Sequence, residues 1–202
     1  MNVAAKEAAF AWPDFRAALD VEFRQQHCQQ GANVKGMFFA AIAREARERT
    51  GTHVGRERYV KFEGYPLQEW LAFLPEAAVA AYPDQPPREG MRRFGQGAFE
   101  VFTTSLAGRV LFSLAGRNVR MAVGLTGRAF DVIGSHGRVE VLVNESGRAV
   151  LGLRDMWDYL DAWHVGIYEG ALRAFGQTGE VRVLARDRSN GDLELRYRKS
   201  MI

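Results

Sequence analysis

The stretch from Asp155 to Arg198 constrains the fold more than any other part of the chain. Leu160, His164, Ile167, Tyr168, Ala171, Leu172 and Phe175 recur at three- and four-residue spacing, the period of a helix with one apolar face. Asp155 can cap the start of that helix, and Gly176 supplies the permissive backbone for its end. Val181, Val183 and Ala185 then alternate with polar residues, as do Leu193, Leu195 and Tyr197, and Asn190-Gly191 between the two runs is a strong hairpin signal. The segment specifies a helix and a hairpin, and nothing in it has the look of catalysis.

Upstream, Phe15, Leu19 and Phe23 are weakly helical within Pro13 to Gln26. Met37, Phe38, Ala41, Ile42 and Ala46 form an apolar stripe from Val34 to Arg49, which Gly51 ends. Thr52 to Gly64 is a polar connector in which Tyr59 to Glu63 alternates well enough for a short strand. Pro66 suits the first position of a helix carrying Leu67, Trp70, Leu71 and Leu74, which Pro75 should kink or restart. A long helix is expected from Arg88 to Phe112, followed by glycine-punctuated helical sequence from Leu114 to Ile133. Val139 to Val143 and Arg148 to Leu153, separated by Asn144 to Gly147, make a second hairpin. The expected fold is α+β, with N-terminal and central helices packed on an antiparallel sheet made of two hairpins around one helix. No linker or repeat divides the 202 residues, so residues 1–202 read as one domain.

Charge and cysteine content narrow the function classes. The net charge of +3 is spread among acids rather than gathered, so nucleic acid is not implied. Cys28 is the single cysteine, which excludes internal disulfides and a Cys-rich zinc site and fits a reducing cytoplasm. It could be acylated or oxidised, or simply be inert. No segment has the uninterrupted apolar length of a membrane span or the apolar core of a signal peptide, so the expectation is a soluble, cytoplasmic protein.

Among candidate site residues, His164 stands on the apolar stripe. Its imidazole either ligates haem, responds to pH, or is a hydrogen-bonded core histidine. Asp161, three residues earlier on the same face, could join it as an acid-base pair. Gly166 and Gly170, four apart, let another backbone approach, for helix packing or for a narrow ligand channel. Trp70, Trp157 and Trp163 line a pocket or fill the core. Gly95-Gln96-Gly97 is not a dinucleotide fingerprint, since Glu100 stands where the third glycine belongs and no strand precedes it.

Val34-Lys35-Gly36-Met37-Phe38-Phe39, Gly64-Tyr65-Pro66 with Trp70, Arg93-Phe94-Gly95 with Phe102-Thr103-Thr104, and His164-Val165-Gly166-Ile167-Tyr168-Glu169-Gly170 with Gly176 together resemble a paralogous family of conserved hypothetical proteins known mainly from myxobacteria. The resemblance runs over residues 33–198 and brings no catalytic residue with it. More distantly, the order of elements from Arg88 onward resembles the ligand-binding fold shared by 4-vinyl-reductase-type domains, Golgi tethering subunits and haem nitric-oxide sensors. The Tyr-x-Ser-x-Arg haem signature and the cysteine cluster of 4-vinyl-reductase-type domains are both missing.

These readings lead to a non-enzymatic cytoplasmic domain that binds an apolar small molecule or a protein partner in a regulatory role, with His164, Tyr168, Gly166, Gly170 and Phe102 as ligand-binding residues. No cofactor is expected. The alternatives are a haem or other cofactor sensor using His164, and an enzyme using Asp161 and His164. Self-association is expected as a homodimer through the helical side around Phe99 and Phe102. The basic alternation Arg196, Arg198, Lys199 is expected to guard a sheet edge.

Overall fold

The computed structural model describes residues 19–116 and 118–200. A helical layer comes first: α1 (Val21–His27), α2 (Gly36–Thr50), α3 (Leu67–Ala81), α4 (Pro87–Thr103), α5 (Leu106–Ser113), α6 (Val119–Gly124) and α7 (Thr126–Ile133). Two three-residue strands, β1 (Asn33–Lys35) and β2 (Gly64–Pro66), pair antiparallel inside it. The second half holds β3 (Arg138–Glu145), β4 (Arg148–Arg154), α8 (Val165–Ala174), β5 (Gln177–Arg186) and β6 (Gly191–Lys199). The four strands form one antiparallel sheet in the order β3-β4-β6-β5, so the two hairpins meet through β4 and β6. The α+β arrangement of two hairpins around one helix is the one expected.

Period-2 burial sets the sheet's inner face. Leu151 stands opposite Leu193, which stands opposite Val183, and Ala149, Leu195 and Val181 form the next row. Val165, Tyr168 and Leu172 of α8 cover these rows and are buried with them. A second core lies among the helices, where Phe39 packs its ring within 5 Å of Tyr59, Trp70 and Phe73. Trp70 and Trp163 are buried in this core, and Trp157 packs against it half-buried.

Several elements depart from the sequence reading for identifiable reasons. α3 runs through Pro75 without restarting. Proline cannot donate to the carbonyl four residues back, Leu71, and the hydroxyl of Tyr159 donates to that carbonyl instead at 2.5 Å. The long helix expected to Phe112 breaks at Ser105, whose hydroxyl accepts from the Gly108 amide at 3.1 Å and caps a new helix, α5. Asn118 caps α6 in the same way. The short strand expected at Tyr59 to Glu63 is a turn, and the pairing lies at Gly64–Pro66.

Asp155 does not cap a helix. It sits at φ 54° in the turn after β4, and the helical path starts at Leu160 with a single π turn, Leu160–His164, before α8. The terminal hairpin also turns differently. Asp187 to Asn190 form a four-residue loop in which the Asp187 carboxylate accepts the amides of Ser189 and Asn190 at 2.8 and 2.7 Å, while Gly191 is already the first residue of β6. The edge strands are β3 and β5, so the basic run of β6 lies inside the sheet rather than guarding its edge. The helical pattern proposed from Pro13 falls partly outside the described residues, and α1 begins at Val21.

Candidate functional site

Gly166 and Gly170 fix the relation of α8 to α4. A Cβ at Gly166 would collide with the Arg92 carbonyl, and one at Gly170 with the Gln96 carbonyl, so the two helices touch backbone to backbone at matched four-residue spacing. Gly95 of α4 meets Trp163 and Gly166 from the other side. Around this contact Arg92 holds Glu169 through two bonds, 2.9 and 2.6 Å. The glycines are packing residues and do not line a channel.

The clamp presents Ile167, Tyr168, Ala171 and Leu172 to a partly open cavity of about 70 Å³. Ala98, Phe99 and Phe102 of α4 form the next part of its wall. Phe112 of α5 and Val123, Thr126 and Phe130 of α6 and α7 close it, with Leu151 and Leu195 of the sheet as floor. Among the described residues no charged side chain is in the wall, and Thr126 and Tyr168 are the lining residues with a polar side-chain atom. Thr126 Oγ1 donates to the Ala122 carbonyl at 3.4 Å, and the buried Tyr168 hydroxyl has no hydrogen-bond partner among the described residues. Burial pushes the Tyr168 phenol well above its ordinary range, with the Asp158 carboxylate adding to the shift, so it stays a protonated donor.

His164 is not in this wall. It stacks on Phe130, which is, with ring centroids 5.4 Å apart. Its Nε2 lies 2.8 Å from Asp158 Oδ1, and His136 Nε2 lies 3.3 Å from the other carboxylate oxygen. All three side chains are buried. Burial alone would raise the Asp158 pKa, but His164 and then His136 outweigh it and hold the carboxyl far below the usual range. Burial would lower His136, but Asp158 outweighs it and the imidazole is raised. His136 is brought there by the chain beside it, where Ser135 and Asn33 exchange bonds at 3.0 Å.

Asp161 and His164 do not form the pair expected from their spacing. The wider π turn separates their roles: Asp161 takes Arg88 at 2.7 Å and Arg186 at 3.1 Å, while His164 turns to Asp158. Cys28 is buried, with its thiol donating to the Gln25 carbonyl at 3.5 Å. Phe102, only 5% exposed, is part of the cavity and is not available to a dimer interface. Of the residues singled out from the sequence, Tyr168 and Phe102 line this cavity, and Phe112, Thr126 and Phe130, not singled out there, line it with them. Their helical spacing was visible, and the glycines between them hid which face was apolar.

A family model describing a protein of unknown function, DUF2378, matches residues 27–198. The chain belongs to that family. Among curated proteins no relative matches it. Solved structures do share the family's fold in this chain. An H-NOX protein from S. oneidensis in its Fe(II)NO state aligns with TM-score 0.61 at 14% identity, over 82% of this chain and 99% of that one. An oxygen-binding H-NOX domain related to soluble guanylate cyclases gives 0.61 at 14%, over 83% and 97%. An H-NOX structure determined to probe haem distortion gives 0.59 at 12%, over 83% and 94%. At these identities the likeness is one of fold. It corrects the expectation of no cofactor, because solved domains that share this fold carry iron in one case and haem in another. Among the described residues no helix is long and apolar enough to cross a membrane.

Proposed function

We propose that this chain is a ligand-binding sensor domain whose site is the cavity between α4, α8, the α5–α7 segment and the sheet. The observation that carries the reading is the apolar cavity wall with one unpartnered hydroxyl among its described residues, on a fold whose solved examples include an Fe(II)NO state and an oxygen complex.

Haem is the first occupant to test. The phenyl rings of Phe102, Phe112 and Phe130 suit the faces of a macrocycle, and Tyr168, which would give up its phenolic proton to the metal, is the wall residue that would ligate iron. His164 lies outside the wall behind Phe130, with Asp158 on its Nε2 and its Nδ1 without a hydrogen-bond partner among the described residues, so it would reach iron only if Phe130 moved aside. A bound haem would supply an iron that takes up a diatomic gas. A compact apolar molecule is the second occupant, favoured by the volume of about 70 Å³, which admits a tetrapyrrole only if the wall opens.

One titration series separates these cases. Haemin added to the purified full chain gives a stoichiometric Soret band, altered by Tyr168→Phe and unchanged by His53→Ala, if haem is the occupant. Displacement of an apolar fluorescent probe by small organic molecules, with no such band, assigns the compact ligand. A protein that binds neither refutes the sensor reading.

A further inference from the structure

The wall of the cavity says more about the occupant than its apolar character. Thr126 has an internal partner for its hydroxyl, whereas Tyr168 keeps a buried phenol with none, at a position where phenylalanine would fill the same space. A buried donor left unmade is costly, and an acceptor brought by a ligand removes that cost. Neither helix can easily turn the ring away. Tyr168 sits midway between Gly166 and Gly170, the two residues that lock α8 against α4. Among the described residues no lysine, arginine, histidine or carboxylate lines the space, so a charged ligand would meet no counter-charge there and lose its hydration.

We infer that the cavity takes a compact, uncharged apolar molecule carrying one hydrogen-bond acceptor, and that the acceptor receives the bond from Tyr168 Oη. This deepens the proposed function and rests on the cavity being the ligand site. The acceptor chemistry is that of a ketone, ether or ester oxygen on a hydrocarbon body. Carboxylates, phosphates and ammonium ions are rejected by the same wall.

The test uses the full-length chain and three probes followed by methyl NMR: xenon, cyclohexanone and methylcyclohexane. Xenon reads the dry space itself, and methyls of Val123, Ile167 and Leu172 shift on its addition if the cavity is open to occupancy. The ring pair reads the hydroxyl. The preference of the wild type for cyclohexanone over methylcyclohexane falls about tenfold in Tyr168→Phe. In the wild type, 13C at the tyrosine Cζ positions shows one resonance moving with the ketone and not with the hydrocarbon, a readout that survives a poorly folding variant.

A xenon response without any change in ketone preference overturns the ligand class and leaves the site standing. A stoichiometric haem complex that excludes cyclohexanone does the same. No response to xenon or to either ring overturns the site and the inference together.

Discussion

Gly166→Ala tests the clamp on which the site depends. The added methyl meets the Arg92 carbonyl and the Gln96 amide, both backbone, so no side chain can rotate out of the way. Relief requires α8 and α4 to part by about 1 Å, enough to forfeit a quarter to a half of each contact along the seam. Overpacking of this kind costs about 3 kcal/mol, and the better helix propensity of alanine returns about 1 kcal/mol, leaving a net loss of about 2 kcal/mol. Gly97→Ala is the internal control. It lies in the same α4 helix, exposed, with nothing within 4 Å of its added Cβ, and should gain about 0.8 kcal/mol. In urea unfolding followed by circular dichroism, with a slope of about 2 kcal/mol/M, the midpoints should move down by about 1 M and up by about 0.4 M respectively. Equal shifts of the same sign in the two variants would refute the backbone-contact argument.

Tyr168→Phe should leave the unliganded protein as stable as the wild type or more stable by up to about 1 kcal/mol, because it deletes an unpartnered buried hydroxyl; a loss above that in urea unfolding means the hydroxyl has a partner. Arg88→Ala should cost about 3–5 kcal/mol by leaving the buried Asp161 carboxylate short of its closest cation, whereas Arg186→Ala, removing a one-third-exposed partner, should cost clearly less by the same measurement. The Asp158 contacts predict a pH profile. A raised His136 stabilises below its unfolded pKa near 6.5 and loses that contribution as pH rises through the folded value; a lowered Asp158 stabilises above 3.8 and loses it as pH falls. Melting temperature at constant ionic strength should therefore be highest between about pH 4 and 6.5, and Asp158→Asn should flatten that maximum.

Most of the architecture was legible because it rests on local signals. The β3–β4 hairpin, the stripe of α2 and the Gly176 stop, at φ 65°, each follow from a few neighbouring residues. The misreadings come from bonds that the residue pattern does not show, made by a distant group at Pro75 and by nearby side chains at Ser105 and in the Asp187 loop. Tyr159 reaches the Leu71 carbonyl and carries α3 through Pro75, and the Asp187 side chain builds a loop that displaces the Asn190-Gly191 turn. The candidate site was half legible for the same reason. Tyr168 and Phe102 could be found on apolar helical faces, but whether His164 faced the cavity or the Asp158 carboxylate depended on the π turn, which no residue pattern announced.

The Gly166–Gly170 seam fixes one side of the cavity. α4, α8 and the sheet are locked by backbone contact, the Arg92–Glu169 fork and the strand ladder, so they cannot yield to a ligand separately. The short helix α5 is pressed onto the end of α4 at Gly108, where an added Cβ would strike the Phe102 carbonyl, and the outer side of this segment shows Leu106, Val110 and Leu114 to solvent, each more than 60% exposed. An occupant is thereby bounded on one side by a seam of backbone contacts and on the other by short helices whose opposite face is apolar and open to solvent.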